Sequence, residues 1–244
     1  QYGYGSMMGS ISTDMLSTTP TYVGGLNACI NGQGFFATQA ISTKEIDVDG
    51  DAADVTDALK KAEFAYTRVG QFQLDSQGYL TDGTNFIYGF RPDGNNGFKT
   101  GSLVALRVPS DLNNGFDDDA LQAASVKINE LGEVTATVTN PDNGESVQVS
   151  LGKIAIVTFQ NQEGLMKSGG TYYSASIGDN TGLCSATIPG GSTSKLMTGY
   201  LEASNVDLAK EFSEMITTQR GFQANTKMIT VSDEILSDLI SMKR

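Results

Sequence analysis

No histidine occurs anywhere in the chain, which removes the Ser-His-Asp and Cys-His arrangements, the commonest pairings of nucleophile and base. Zinc held through histidine is excluded with them. Tryptophan is also absent, and the two cysteines, Cys29 and Cys184, lie far apart with no CxxC, too few for a disulfide framework. Both read as unpaired small residues. Cations are scarce: 16 Lys and Arg stand against 28 Asp and Glu, a formal net charge of −12. Neutralising phosphates takes clustered Lys and Arg, so nucleic acid and anionic membrane are excluded as partners. No apolar run reaches about 18 residues, and no basic segment precedes a short apolar one, so neither a membrane span nor a Sec-type signal is visible.

What is present suffices for a core, since 39% of the 244 residues are hydrophobic. The chain is organised around its last stretch, Gly199 to Arg244, which contains no Pro and one internal Gly, Gly221. Every seventh residue from Leu208 is apolar (Leu208, Met215, Phe222, Ile229, Leu236), a coiled-coil-like seam of about five heptads. Met228, Ile235 and Met242 form a second row, and Phe212, Leu239 and Ile240 widen the band. Gln219, Asn225, Thr226 and Asp233 set polar groups beside the seam, where they fix register. Ser204 reads as the N-cap with Asp207 in the first turn, and Lys243 and Arg244 suit the dipole at the far end. The spacing predicts one helix over 205–244. The rest of the chain offers no second long helical pattern, so its neighbours are expected in other molecules or in a missing part of this one.

From Gln1 to about Gly25 the chain reads as an extended linker or edge strand. In Leu26 to Gln39, LNACINGQGFFATQ, the dipeptide Asn31-Gly32 between apolar clusters predicts a hairpin. Residues 41–65 read as an inserted, Asp-rich lobe with one or two helical turns at Asp54 to Lys61. Asp47, Asp49 and Asp51 alternate around Gly50, but the Gly falls at the fourth loop position and no Glu follows at the twelfth, so an acidic solvated loop is preferred to calcium. From Tyr66 short alternating strands predict an antiparallel β domain: Phe72/Leu74, Tyr79, Phe86/Tyr88/Phe90, Val104/Leu106/Val108, Val126/Ile128, Val134/Ala136/Val138 and Val147/Val149. Asp82-Gly83, Asp93-Gly94, Pro141 and Asn143-Gly144 mark turns between them. Ile154 to Phe159 reads as one strand buried on both faces. Ser174 to Ser194, rich in Gly, Ser, Thr and Asn, reads as an irregular surface segment that leaves Cys184 exposed while Cys29 is buried. The fold class is therefore mainly β: a many-stranded antiparallel domain over 26–189 with the Asp-rich insertion, a hinge and return segment over 190–204, and one long C-terminal α-helix.

The stretch LEASNVDLAKEFSEMITTQRGFQANTKMITVSDEILSDLISMKR resembles the C-terminal signature of the bacterial flagellar axial proteins, the hook and rod subunits. INGQGFF resembles the family's entrance to its β domain, and the run from Tyr66 through Arg68, Gly70 and Phe72 to Asp75, followed by Gly78-Tyr79-Leu80, resembles its companion. Asn161, Gly164, Leu165, Gly169 and Tyr173 match a block of the form NxxGLxxxGxxxY. The likeness covers the chain apart from the Asp-rich insertion and the turns from Asn95 to Asp119. It implies a structural, non-enzymatic subunit without cofactor, metal or small-molecule substrate, whose last helix lies in an inner domain around an export channel. It also implies an N-terminal helix that this sequence, starting QYGYGSMMGS, lacks. The assembly contacts implied are Leu208, Phe212, Met215, Gln219, Phe222, Asn225, Met228, Ile229, Ile235, Leu236 and Ile240. Partners would be copies of the chain in a helical homopolymer, with adjoining rod and hook–filament junction proteins. The setting would be the extracellular flagellum, reached by the flagellar type III route without a cleaved Sec signal.

Other classes stay open at this point. A secreted β-rich binding module would need exposed aromatics gathered in one cleft. A carboxylate hydrolase would have to use Asp117, Asp118 and Asp119 or the Asp47 cluster, and no motif frames a pair of them. Within the flagellar reading, the ending QRGFQANTKMITVSDEILSDLISMKR and the exposed insertion favour a hook subunit, with the distal rod as the alternative. Some hook proteins of this family carry Cys–Lys cross-links, yet nothing around Cys184 marks a lowered pKa.

Overall fold

The computed structural model of the chain describes residues 19–40, 44–93, 97–112, 120–140, 144–190 and 194–242. Contacts divide the chain after Ala203 into a unit that ends there and a second that runs from Ser204. The first unit begins with strands β1 (Thr19–Tyr22), β2 (Ala28–Asn31), β3 (Phe35–Gln39) and β4 (Ile46–Asp47), then helix α1 (Ala52–Lys61). Strands β5 (Ala65–Thr67), β6 (Gln73–Leu74), β7 (Leu80–Thr81), β8 (Phe86–Phe90) and β9 (Ser102–Ala105) follow. Next come β10 (Ala123–Ile128), β11 (Glu133–Thr139), β12 (Ser146–Ile154), β13 (Ile156–Phe159), β14 (Met166–Gly169) and β15 (Tyr172–Ser174). The unit closes with β16 (Cys184–Thr187), β17 (Lys195–Thr198) and β18 (Tyr200–Ala203).

Fourteen strands join one antiparallel sheet, whose main path is β10-β11-β12-β8-β3-β5-β15-β14. The alternation read from sequence sets its register: along β11, Val134, Ala136 and Val138 are buried and the residues between them are half-buried. Side chains of successive residues point to opposite faces, and Phe35 and Phe36 show the result. Phe36 enters a core with Ile87, Leu106, Leu151 and Ile154. Phe35 enters a second core with Tyr66, Tyr88, Phe90 and Phe159. Gly34, before the two rings, has φ +122°, and a Cβ there would stand 2.3 Å from the Ile156 side chain. Only glycine lets the chain pass that close.

Several expectations need correction. The Asn31-Gly32 hairpin does not form: β2 pairs with β17, while β3 pairs with β5, β8 and β13. The reason lies in Arg68, whose guanidinium donates to the carbonyls of Ile30, Gly32 and Gly34 and holds the connection open. Residues 44–65 are not a lobe apart, because Ile46, Val48, Leu59 and Phe64 all lie in the second core. Ile154–Phe159 is not one strand: β12 ends at Ile154 beside β8, and β13 pairs with β3 and β16.

The fourth correction concerns Cys184, which is 2% exposed. The segment around it is strand β16, paired with β13 from Ile156↔Thr187 to Phe159↔Cys184. Helix α1 closes the outer edge of this strand: the Cys184 N–H donates to Thr56 Oγ1 at 3.0 Å, and the Thr56 hydroxyl reaches the Cys184 carbonyl at 3.2 Å. An edge strand sealed by a helix cannot leave its thiol in water. Cys29 is 1% exposed, as expected. The segment read as a hinge and return is instead regular over 194–203, with β17 on β2 and β18 on β1.

Candidate assembly surface

Asp207 starts the C-terminal helix. Its Oδ1 accepts from the backbone N–H groups of Ala209 at 2.9 Å and Lys210 at 3.4 Å, satisfying two of the donors that a helix start leaves free. Ser204 was the cap expected from sequence, but its Oγ accepts from Val206 at 3.3 Å, ahead of the first helical turn. From Leu208 helix α2 (Leu208–Met242) runs 35 residues without a break, about 52 Å.

Hydroxyl side chains along α2 bond within the helix. Those of Thr217, Thr218, Thr226 and Ser232 each donate to the carbonyl four residues back. Such polar groups need no outside partner. The apolar groups do: every described residue of α2 is exposed, with Phe222 at 63%, Met228 at 69% and Ile240 at 72%. Burying one side chain of this kind contributes about 1.5–3 kcal/mol, so a row of them strongly favours association.

The eleven residues expected as assembly contacts all sit on this helix. Leu208, Met215, Phe222, Ile229 and Leu236 form the first row, with Gln219 and Asn225 flanking it. Met228 and Ile235 stand roughly 100° further round, on a second face. Two apolar faces on one helix suit two neighbours. No helix among the described residues is long and apolar enough to cross a membrane.

Among the described residues no group of three His, Cys, Asp or Glu side chains is placed to hold a metal ion. In the Asp47 loop, Asp47 Oδ1 accepts the backbone N–H of Asp49 at 3.0 Å, an Asx-type turn. Asp117, Asp118 and Asp119 lie outside the described residues. Burial pushes both thiols above their ordinary pKa, the opposite of a reactive cysteine.

Residues 197–242 match the family model described as flagellar basal body rod FlgEFG protein C-terminal. The chain is 37% identical over 247 aligned positions to the flagellar basal-body rod protein FlgG of Bacillus subtilis, covering 100% of this chain and 75% of that protein. The chain belongs to the flagellar rod and hook protein family. Hook relatives match over less: the flagellar hook protein FlgE of Treponema pallidum is 40% identical over 119 residues, 48% of this chain and 24% of its own length. FlgE of Salmonella typhimurium is 35% identical over 148 residues, 61% of this chain and 30% of its own. Membership makes this a structural flagellar protein and not an enzyme. Residues 197–242 take in the end of β17, β18 and the whole of α2, so the matched segment includes the exposed apolar helix.

Proposed function

We propose that the chain is a subunit of the flagellar rod that polymerises with its own copies into a helical tube, using the two apolar rows of α2 as the inner contact surface. The observation that carries the rod reading is the alignment with the Bacillus subtilis rod protein, which runs the full length of this chain. The matches to the Treponema pallidum and Salmonella typhimurium hook proteins cover 48% and 61% of it and a small part of proteins that are themselves longer. The hook reading favoured by the sequence ending therefore yields to its alternative. The Asp-rich segment does present Asp47, Asp49, Asp51 and Asp54 to solvent while α1 packs Leu59 against the second core, and that exposure is equally compatible with a rod subunit. A heterologous contact repeated without closing a ring gives an open helix, and the partners are then further copies and the adjoining rod and hook proteins. Export through the flagellar route follows from the same reading.

Immunogold labelling of hook–basal bodies isolated from the source bacterium tests it, with antibody raised against the β unit. Gold along the straight rod is the expected result. Gold along the curved hook, with the rod bare, overturns the rod assignment and leaves a hook subunit.

A further inference from the structure

The strand by which the chain enters the described β unit and the strand by which it leaves are the same ribbon. β1 pairs with β18 from Thr19↔Ala203 to Tyr22↔Tyr200. The ribbon is held together internally by the Thr19 hydroxyl on the Ala203 carbonyl at 2.8 Å and by the Tyr22 and Tyr200 rings, edge to face at 5.3 Å. All four β1 residues are exposed. At its base stand Gly24 and Gly25 on one strand and Gly199 on the other, all at positive φ. These are positions that absorb backbone rotation at low cost. The base itself is tied by the Gly199 N–H on the Asn27 carbonyl at 2.7 Å.

Beyond the base, a side-chain charge bond ties the ribbon to the rest of the β unit. Arg68 Nε donates to Glu202 Oε2 at 2.8 Å, with the two side chains 9% and 19% exposed. The rest of the guanidinium is committed to the β unit: Nη1 donates to Gly34 at 3.0 Å, Nη2 to Gly32 at 3.1 Å, and the group lies over the Phe35 ring. Arg68 is thus a fixed post, and Glu202 is the movable half.

Cys29 lies on β2, the strand against which the ribbon's β18 packs. Ala28 and Ile30 face the first core, so Cys29, between them on β2, points the other way. β18 packs against β2, and Cys29 is 1% exposed. The Glu202 charge is felt at the thiol, next after burial itself in pushing it up.

We propose that Arg68 and Glu202 form a latch that holds the β1–β18 arm closed over Cys29, and that the arm swings on Gly24-Gly25 and Gly199 when the latch is released. The chain leaves the arm at Ala203, directly before the second unit, so the latch decides whether that exit point is fixed to the β unit or hangs from the glycine base. The latch is independent of whether the subunit belongs to rod or hook.

The test uses the full chain with Glu202→Ala and the milder Glu202→Gln, and reads the two buried cysteines against each other. Cys184 lies under α1 and serves as the internal control. Removing Glu202 also eases ionisation of Cys29, so labelling is measured with a small and a bulky maleimide, and their ratio cancels that effect. Opening of the arm should raise bulky relative to small labelling of Cys29 about tenfold in Glu202→Ala, the bias that one charge-assisted hydrogen bond supplies. Glu202→Gln should fall between, and Cys184 should not change. Hydrogen exchange should rise in β1 and β18 and stay level in β13 and β16. An unchanged Cys29 ratio, or equal acceleration of Cys29 and Cys184, overturns the latch.

Discussion

Lys60 Nζ stands 2.8 Å from Asp179 Oδ1, and their side chains are 8% and 6% exposed, so helix α1 is pinned to the loop before β16 by a buried ion pair. Burial alone would raise the Asp179 pKa, but hydrogen bonds from Lys60, Thr181 and Ser176 outweigh it and hold the carboxyl down at about 2. The folded value lies below the unfolded one, so this stabilisation is complete above about pH 4 and is lost as pH falls through about 2. Asp179→Asn should cost about 3–5 kcal/mol, because it strands a buried ammonium. The pair Lys60→Met with Asp179→Leu should recover much of that. Urea titrations at pH 7 and pH 3 check both, and a neutral Asp179→Asn would show that Lys60 escapes to solvent.

Both thiols should resist alkylation in the native protein. With Cys29 and Cys184 at 1% and 2% exposure, a brief pulse of iodoacetamide should label neither, and the same pulse in urea should label both. Fast native labelling of Cys184 would return the 184–187 segment to the surface and remove the seal made by Thr56.

The burial of Cys184 is hard to read from sequence for a physical reason. Its strand turns Cys184 and Ala186 inward with Ser185 and Thr187 between, and such small inward residues amid Gly, Ser and Thr give a faint period-2 signal. By contrast β11 and the β12 that follows carry mostly Val and Leu at the inward positions (Val134, Val138, Val149, Leu151), and their alternation is plain. Helix α2 was legible for another reason, since 35 residues of apolar periodicity without Pro leave few alternatives. The Asn31-Gly32 turn failed because its outcome is set by Arg68, 36 residues further on, and local turn chemistry cannot carry that. The assembly rows were readable as pattern, but the ribbon latch depends on Glu202 meeting Arg68 across 134 residues.

Gly89 should tolerate no side chain. It sits in β8 opposite Ile154, and a Cβ there would lie 2.1 Å from the Lys153 carbonyl oxygen and 2.9 Å from the Leu106 side chain. Gly89→Ala should destabilise the β unit by about 3 kcal/mol, since backbone and a packed core residue must both shift. Gly144→Ala, with nothing within 4 Å and φ +71°, should cost only the left-handed backbone penalty of about 1–2 kcal/mol. Equal urea midpoints for the two variants would contradict the close approach at Gly89.

Helix α2 should be weakly protected in the dilute chain. None of its described residues is buried, and a lone helix without an apolar partner keeps little of its stability. Hydrogen exchange over Met215 to Leu239 should be fast in the monomer and slow by orders of magnitude after polymerisation. Strong protection at low concentration would mean the helix already has a partner within its own chain, and the assembly role of Phe222, Ile229 and Leu236 would fall.

Gly221 separates packing from propensity on that same helix. It lies in mid-helix, one residue before Phe222 of the first row, and nothing stands within 4 Å of where its Cβ would be. In the isolated chain a methyl group there meets no obstacle, so Gly221→Ala should raise helix stability by about 1 kcal/mol. A glycine kept at such a cost beside an apolar seam suits a neighbouring helix that passes close by. If that helix packs over Gly221 in the tube, Gly221→Leu should raise helicity of the monomer over wild type yet block polymerisation, while Gly221→Ala still assembles. Circular dichroism of the monomer and sedimentation of the polymer read the two effects separately. Gly221 shares its row with Met228 and Ile235, so normal tubes from Gly221→Leu would show that this row looks onto open space at that level, and the close neighbour would have to lie against the Phe222 and Ile229 row instead.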